Sequence, residues 1–154
     1  MPENFTLRKA KLYDTKQIAA LLKFYTSKGI ILGRNEADIS ENIREFTVCE
    51  VKGEITGVVS LAIFWENLAE IRSLAINPEL HRHGFGSALV KYSIQEAKEL
   101  GCKKVFTLTY EDVFFKKLGF EETDKHLFSQ KVWAECTKCM KFPDCDEIAL
   151  SLSI

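Results

Sequence analysis

The sequence predicts an α/β domain built on a mixed sheet with helices on both faces. Three observations carry that reading. Strand-like and helix-like patterns follow one another in the order β-α-α-β-β-β-α-β-α-β-β. Near the middle of the chain an apolar strand ending at Ile76 stops at Asn77-Pro78, crosses a short basic segment and enters a helix through Gly84-Phe85-Gly86. A chain of 154 residues with 46% hydrophobic and 28% charged content suits one domain with a substantial core, taken here as residues 1–154.

Phe5 to Ala10 alternates as a first strand, and Asp14 is the expected N-cap of a helix whose Ile18, Leu21, Leu22 and Tyr25 form one apolar stripe ending at Gly29. Residues 30–34 read as a loop. Asn35 through Phe46 reads as a second helix, with Ile39, Ile43 and Phe46 at helical spacing. Phe46 to Val51 and Ile55 to Trp65 are two strands around the turn Lys52-Gly53-Glu54. Leu68 to Ile76 is the next strand, and the helix entered at the glycines runs to Leu100. Lys104 to Thr109 is a β-branched and aromatic strand, Asp112 to Leu118 a short helix, and Glu121 to Asp124 a brief strand. Asp146 to Ile154 is expected to close the sheet.

The strand-to-helix junction has the chemistry of an anion site. The first amides of a helix lack carbonyl partners, the macrodipole adds partial positive charge, and glycines let a phosphate approach the backbone. The segment His81-Arg82-His83-Gly84-Phe85-Gly86-Ser87 supplies all three features and is basic besides. It resembles the pyrophosphate loop of the GNAT acetyltransferases, Arg/Gln-x-x-Gly-x-Gly/Ala, with His81 a departure at the first position. Phe114-Phe115-Lys116-Lys117-Leu118-Gly119-Phe120 is similar to a second segment of that family, Phe-Tyr-x-Lys-x-Gly-Phe. The resemblance implies a mostly antiparallel GNAT sheet with a V-shaped splay at the cofactor site, and acetyl-CoA as co-substrate. It places the cofactor on Leu74, Ala75 and Ile76, on the loop residues His81, Arg82, His83, Gly84, Phe85, Gly86 and Ser87, and on Phe115.

Acetyl transfer to an amine requires that the amine lose a proton, and an α-amine, with an ordinary pKa of about 7.7–8.0, is mostly protonated near neutrality. A general base assists that step. The resemblance assigns it to Glu70 of Ala69-Glu70-Ile71, acting through water, while the residues alone equally allow a carboxylate paired with Arg72 two positions along the same face. The resemblance also implies a β-bulge near Leu74 and gives the Leu74 N–H the role of oxyanion donor. The family's acid tyrosine is replaced by Phe115, so Tyr110 is the alternative proton donor, or else an aromatic wall of the site.

Arg34, residues 41–46, Thr107-Leu108-Thr109-Tyr110-Glu111 and the segment 130–150 are similar to the short single-domain amino-acid N-acetyltransferases of the N-acetylglutamate synthase type. An amino-acid substrate carries a carboxylate that guanidinium groups clamp well, so Arg34, Arg72 and Lys131 are the substrate-side candidates. The longer synthases have an Arg where this chain has Tyr110, which leaves glutamine or another amino acid open beside glutamate. Cys136, Cys139 and Cys145 have metal-like spacing but are one ligand short of a closed zinc site; buried or redox-active thiols are the alternatives.

The net charge of −1 with dispersed Lys and Arg gives no electrostatic case for nucleic acid. No apolar run approaches the roughly 20 residues of a membrane span, and the N-terminus lacks signal-peptide character. A cytoplasmic location is expected, with a small-molecule substrate and a homodimer as partners. Five cysteines, an odd number, fit a reducing compartment. Acetylation of a protein amine, or a non-enzymatic acyl-CoA or redox sensor, are the competing functions.

Overall fold

Apolar side chains alternate along the central strands and feed two cores, one on each face of a seven-stranded sheet. The computed structural model describes residues 5–29, 34–64, 67–81, 83–124 and 148–154. The strands are β1 (Phe5–Lys9), β2 (Phe46–Val51), β3 (Glu54–Phe64), β4 (Leu68–Ile76), β5 (Lys104–Thr109), β6 (Glu121–Glu122) and β7 (Ile148–Ser153). They lie in the order β1-β2-β3-β4-β5-β7-β6, and β4 with β5 is the parallel pair in an otherwise antiparallel sheet. The expected mixed sheet is therefore present. Its last strand in sequence does not close it, because β7 inserts between β5 and the two-residue β6.

Helices α1 (Thr15–Thr26) and α2 (Glu36–Glu41) cover one face, where Ile18, Leu22 and Ile39 pack on Phe46, Val48, Val58 and Ala75. Helices α3 (Phe85–Leu100) and α4 (Asp112–Lys117) supply the other core through Phe85, Leu89, Val90, Ala97 and Phe115, against Val59, Leu61, Ala69, Ile71 and Val105. Gly57 lets that packing close: a Cβ there would meet Ile76 Cδ1 at 2.8 Å and Leu89 Cδ1 at 3.0 Å.

Two local expectations are corrected. Asp14 does not cap α1 with its side chain; the carboxylate takes two bonds from Arg8, at 2.7 and 3.0 Å, and one from the Lys11 amide at 2.8 Å. Those Arg8 bonds hold the buried Asp14 carboxyl below its usual range, and a charge so partnered is not free to serve the helix. The helix expected over 35–46 stops at Glu41, because Asn42 bonds back to the Asp38 carbonyl at 2.9 Å and a 3-10 turn, Ile43–Glu45, follows.

The register of β4 sets up everything that follows. Val58 of β3 pairs with Ala75 and Ser60 with Arg72, so Ser73 and Leu74 together oppose the single residue Val59. This is the bulge expected near Leu74, and Ser73 takes the left-handed conformation, φ +53°, that it requires. The extra residue shifts side-chain parity. Ala69 and Ile71 face the α3 core before it, Leu74 and Ile76 pack on that same core after it, and Ala75 joins the core under α1. On its other side β4 pairs with β5 only from Leu68↔Lys104 to Glu70↔Phe106. Beyond that point the strands part, and at the apex the Thr107 hydroxyl donates to the Ile71 carbonyl at 2.8 Å.

The strain at Ser73 yields a prediction. A β-branched residue at positive φ costs about 1–3 kcal/mol, whereas glycine has no such penalty. Ser73→Val lowers the urea midpoint accordingly and Ser73→Gly leaves it unchanged or raises it; a reversed order means the bulge is not what holds Ser73 in place.

Candidate functional site

Where β4 and β5 separate they enclose a groove of about 570 Å³. Its walls are Ile71 to Leu74 and Ile76 from β4, Thr107 to Glu111 from β5 and beyond, and Phe114 and Phe115 from α4. Its far end is the start of α3, with His81, Gly84, Phe85, Gly86 and Ser87. The Asn77 amide bonds to Thr56 O of β3 at 2.8 Å. Because ladder groups alternate in direction along a strand, the amides of Leu74 and Ile76 turn to the opposite edge, into the groove.

The helix end has the features of an anion site. The first helical bond of α3 runs from Ala88 N to Gly84 O at 3.0 Å, so the amides of Phe85, Gly86 and Ser87 precede the intrahelical ladder. Gly84 sits at φ +84°, which selects glycine on backbone grounds. Gly86 has no such excuse. Its φ is ordinary, and a Cβ would make only ordinary contacts, with the Phe114 ring edge at 3.5 Å and Ile76 Cγ1 at 3.8 Å. Glycine there leaves the α3 amides bare on the groove side, the cradle a diphosphate needs.

Apart from Glu70, Arg34 and Arg72, the predicted residues fall into four groups. Leu74, Ile76, His81, Gly84, Phe85, Gly86, Ser87, Tyr110 and Phe115 line the groove, with Tyr110 exposed at its rim. Ala75 is not among the groove lining; alternation buries its side chain under α1. His83 lies beside the groove with its ring stacked near Phe85, centroids 6.2 Å apart. Arg82, Lys131 and the cysteines 136, 139 and 145 lie outside the described residues.

Glu70 and Arg72 occupy the face of β4 turned toward α1 and α2. Arg72 lines the groove and reaches Glu70 at 3.5 Å and Glu45 at 3.4 Å. Glu45 accepts from Ser60 Oγ at 3.3 Å, and Ser60 Oγ in turn accepts from Arg34 at 3.4 Å. Arg34 stacks over Phe46, 4.7 Å to the ring centroid, and pairs with Asp38 at 2.6 Å. The two arginines thus converge on one polar network. Glu70 itself is 7% exposed, beneath the groove lining and joined to it through Arg72.

Three residues here escape a reading of the sequence. Ser60 and Glu45 join the arginines across three elements, a contact with no local signal. Tyr25, expected only as part of the apolar stripe of α1, lines the groove; its hydroxyl donates to the Ile76 carbonyl and lies 2.6 Å from His81 Nε2. Burial pushes the Tyr25 phenol up, which keeps the donating proton in place.

A family model described as the acetyltransferase (GNAT) family matches residues 13–120, which take in α1 through α4 and the whole groove. The chain belongs to the GNAT acetyltransferase family. Among its GNAT relatives an uncharacterized N-acetyltransferase of Chlorobaculum tepidum is 40% identical over 144 residues, covering 94% of this chain and 93% of that protein. An amino-acid acetyltransferase of Mycobacterium tuberculosis is 34% identical over 132 residues, covering 84% of this chain and 75% of that one. The GNAT fold superposes on the N-acetylglutamate synthase of Neisseria gonorrhoeae, complexed with coenzyme A and N-acetyl-glutamate, with a TM-score of 0.90 at 24% identity. That match covers 99% of this chain and 36% of the synthase, a likeness of fold. The Mycobacterium tuberculosis protein Rv2747, complexed with CoA, superposes with a TM-score of 0.83 at 29% identity, over 97% of this chain and 99% of that one. No described helix of this GNAT domain is long and apolar enough to cross a membrane.

The different reasons for the two loop glycines make a test. Gly86→Val folds but places a branched side chain over the α3 amides, and acetyl-CoA affinity by calorimetry falls by more than about tenfold. Gly84→Val loses stability as well, through strain at φ +84°. Unchanged affinity in a folded Gly86→Val variant removes the phosphate assignment.

Proposed function

We propose that this chain transfers the acetyl group of acetyl-CoA directly to the α-amine of a free amino acid. The observation that carries the proposal is Arg72, which lines the groove and also belongs to the Arg34–Ser60–Glu45 network. One surface of this residue faces the place for a thioester; the other opens onto guanidinium and carboxylate groups suited to a zwitterion. The relatives named amino-acid acetyltransferase and the CoA-bound structures support the same reading.

In this reading the amides of Phe85, Gly86 and Ser87 receive the diphosphate, and the free edge of β4 holds the pantetheine arm as a surrogate strand between β4 and β5. The Leu74 N–H, turned into the groove by the bulge, donates to the acetyl oxygen as negative charge develops there. Glu70 takes the amine proton through water, since the carboxylate lies beneath the groove lining and not in it. Its ion pair with Arg72 holds the carboxylate in place to accept. Tyr110 at the rim is the proton donor to the departing thiolate in this scheme; with a thiol of about 8.5 against a phenol of about 10 the transfer is slightly uphill, and the phenolate regains its proton from solvent.

The substrate proposed first is L-glutamate, giving N-acetylglutamate, with Arg34 and Arg72 on its carboxylates. A guanidinium has five N–H donors, so the bonds Arg34 makes to Asp38 and Ser60 leave others for a ligand. A second reading follows from the count of charges. The network sets three carboxylates, Asp38, Glu45 and Glu70, against two guanidinium groups, a balance that favours an ammonium and disfavours a second carboxylate. Glutamine or another amino acid with an uncharged side chain fits it. A screen of the twenty amino acids for CoA release from acetyl-CoA separates the two readings, and release with none of them overturns the amino-acid assignment.

Two variants test the roles. Arg34→Gln and Arg72→Gln each remove a charge-assisted bond of about 1.5–3 kcal/mol, or one to two decades in kcat/KM. The loss is largest for the amino acid and disappears for its α-amide; an equal loss on both shows that the arginines serve structure instead. Glu70→Gln lowers turnover most at mildly acidic pH, where free amine is scarcest. A wild-type pH profile in that variant makes Glu70 a structural partner of Arg72.

A further inference from the structure

We infer that Tyr25 is a positioning residue for the cofactor end of the groove, holding the last residue of β4 and the first residue of the loop in one geometry. The inference rests on the proposed binding of CoA in that groove. Tyr25 stands in the last turn of α1, a helix on the face opposite α3, with its ring 8% exposed among the core side chains there. Its hydroxyl leaves that core and meets two groups of the groove, the Ile76 carbonyl and His81 Nε2. The two rings lie nearly parallel, 14° apart with centroids separated by 6.2 Å.

Proton counting settles how this junction is wired. A carbonyl only accepts, so the single phenolic proton points at Ile76 O. The hydroxyl oxygen is then left to accept, and the hydrogen between it and the imidazole belongs to Nε2 of His81. Tyr25 therefore selects a tautomer and an orientation for His81, an exposed side chain that would otherwise sample several. It also ties down the Ile76–Asn77 peptide at the end of β4, whose amide bonds on its other side to Thr56 O. Both groups lie on the path from the splayed strand to the bare amides of α3. Ordering them before the ligand arrives lowers the entropic penalty of binding, the usual benefit of preorganisation.

The test is Tyr25→Phe, which keeps the ring and removes the oxygen. Imidazole nitrogen NMR of the free wild type shows His81 in the Nε2–H form, and in the variant a mixture of tautomers in exchange. CoA affinity by calorimetry falls about tenfold, the size of one such hydrogen bond. KM for acetyl-CoA rises by a similar factor while kcat stays within twofold. Should Tyr25→Phe fold poorly, His81→Phe breaks the same bond from the exposed side. That variant on its own lowers CoA affinity by a similar factor; where both variants fold, adding Tyr25→Phe does not increase the loss, because the two act as one unit. Wild-type CoA binding with unchanged tautomer and affinity in Tyr25→Phe overturns the role of Tyr25. Absence of CoA binding in the wild type overturns the cofactor reading itself, and the role with it.

Discussion

The site depends on one extra residue in one strand. With Ser73 and Leu74 together facing Val59, β4 changes side-chain parity partway along its length. Arg72 before the change looks toward α1 and α2; Leu74 and Ile76 after it look toward α3. A regular strand would send all of these even-numbered residues to one face. The bulge also bends β4 away from β5, and the groove is the space that bend leaves. The strain of a serine at φ +53° is thus stored at the point where the Arg72 network and the α3 end of the groove meet.

Electrostatics divides the groove in the same way. The α3 end presents helix dipole and the imidazole of His81. At the other end, charges of both signs are interleaved across β4, the turn before β2 and the start of α2, with the Ser60 hydroxyl of β3 between them. Such a network holds its own members in register when no ligand is present, since each arginine already has a carboxylate partner. The zwitterionic ligand proposed for this site would enter by exchanging partners and would not have to meet an uncompensated buried charge, which is far costlier to maintain.

What can be read from the sequence is what is local. The strand stop at Asn77-Pro78, the two loop glycines and the Phe114-Phe115 segment are contiguous, and each sits where expected. Glu70 and Arg72 are readable as a pair for the same reason, being two residues apart on one strand. The bulge itself has no composition signal, and its expectation comes from family resemblance alone. Glu45 and Ser60 cannot be read at all, because their contacts are made across strands. Tyr25 is concealed by its own pattern: helical spacing marks it as core, which its ring is, while its hydroxyl belongs to another layer. Asn42 misleads in the opposite sense, ending a helix from within a run of correct periodicity.

The two cores have a consequence for how this domain can change. The α1–α2 layer and the α3–α4 layer bury separate sets of side chains, and the sheet is the wall between them. Substitutions in separate layers share few neighbours, so their effects on stability approach simple addition. A library that varies the α2 side can therefore search for new acceptors while the opposite core is left as it is. The exception is the end of α1, where one phenol reaches through the wall. A swap of that helix for another carries the loop-side histidine with it, and the boundary of any chimera has to fall after Tyr25 and not before.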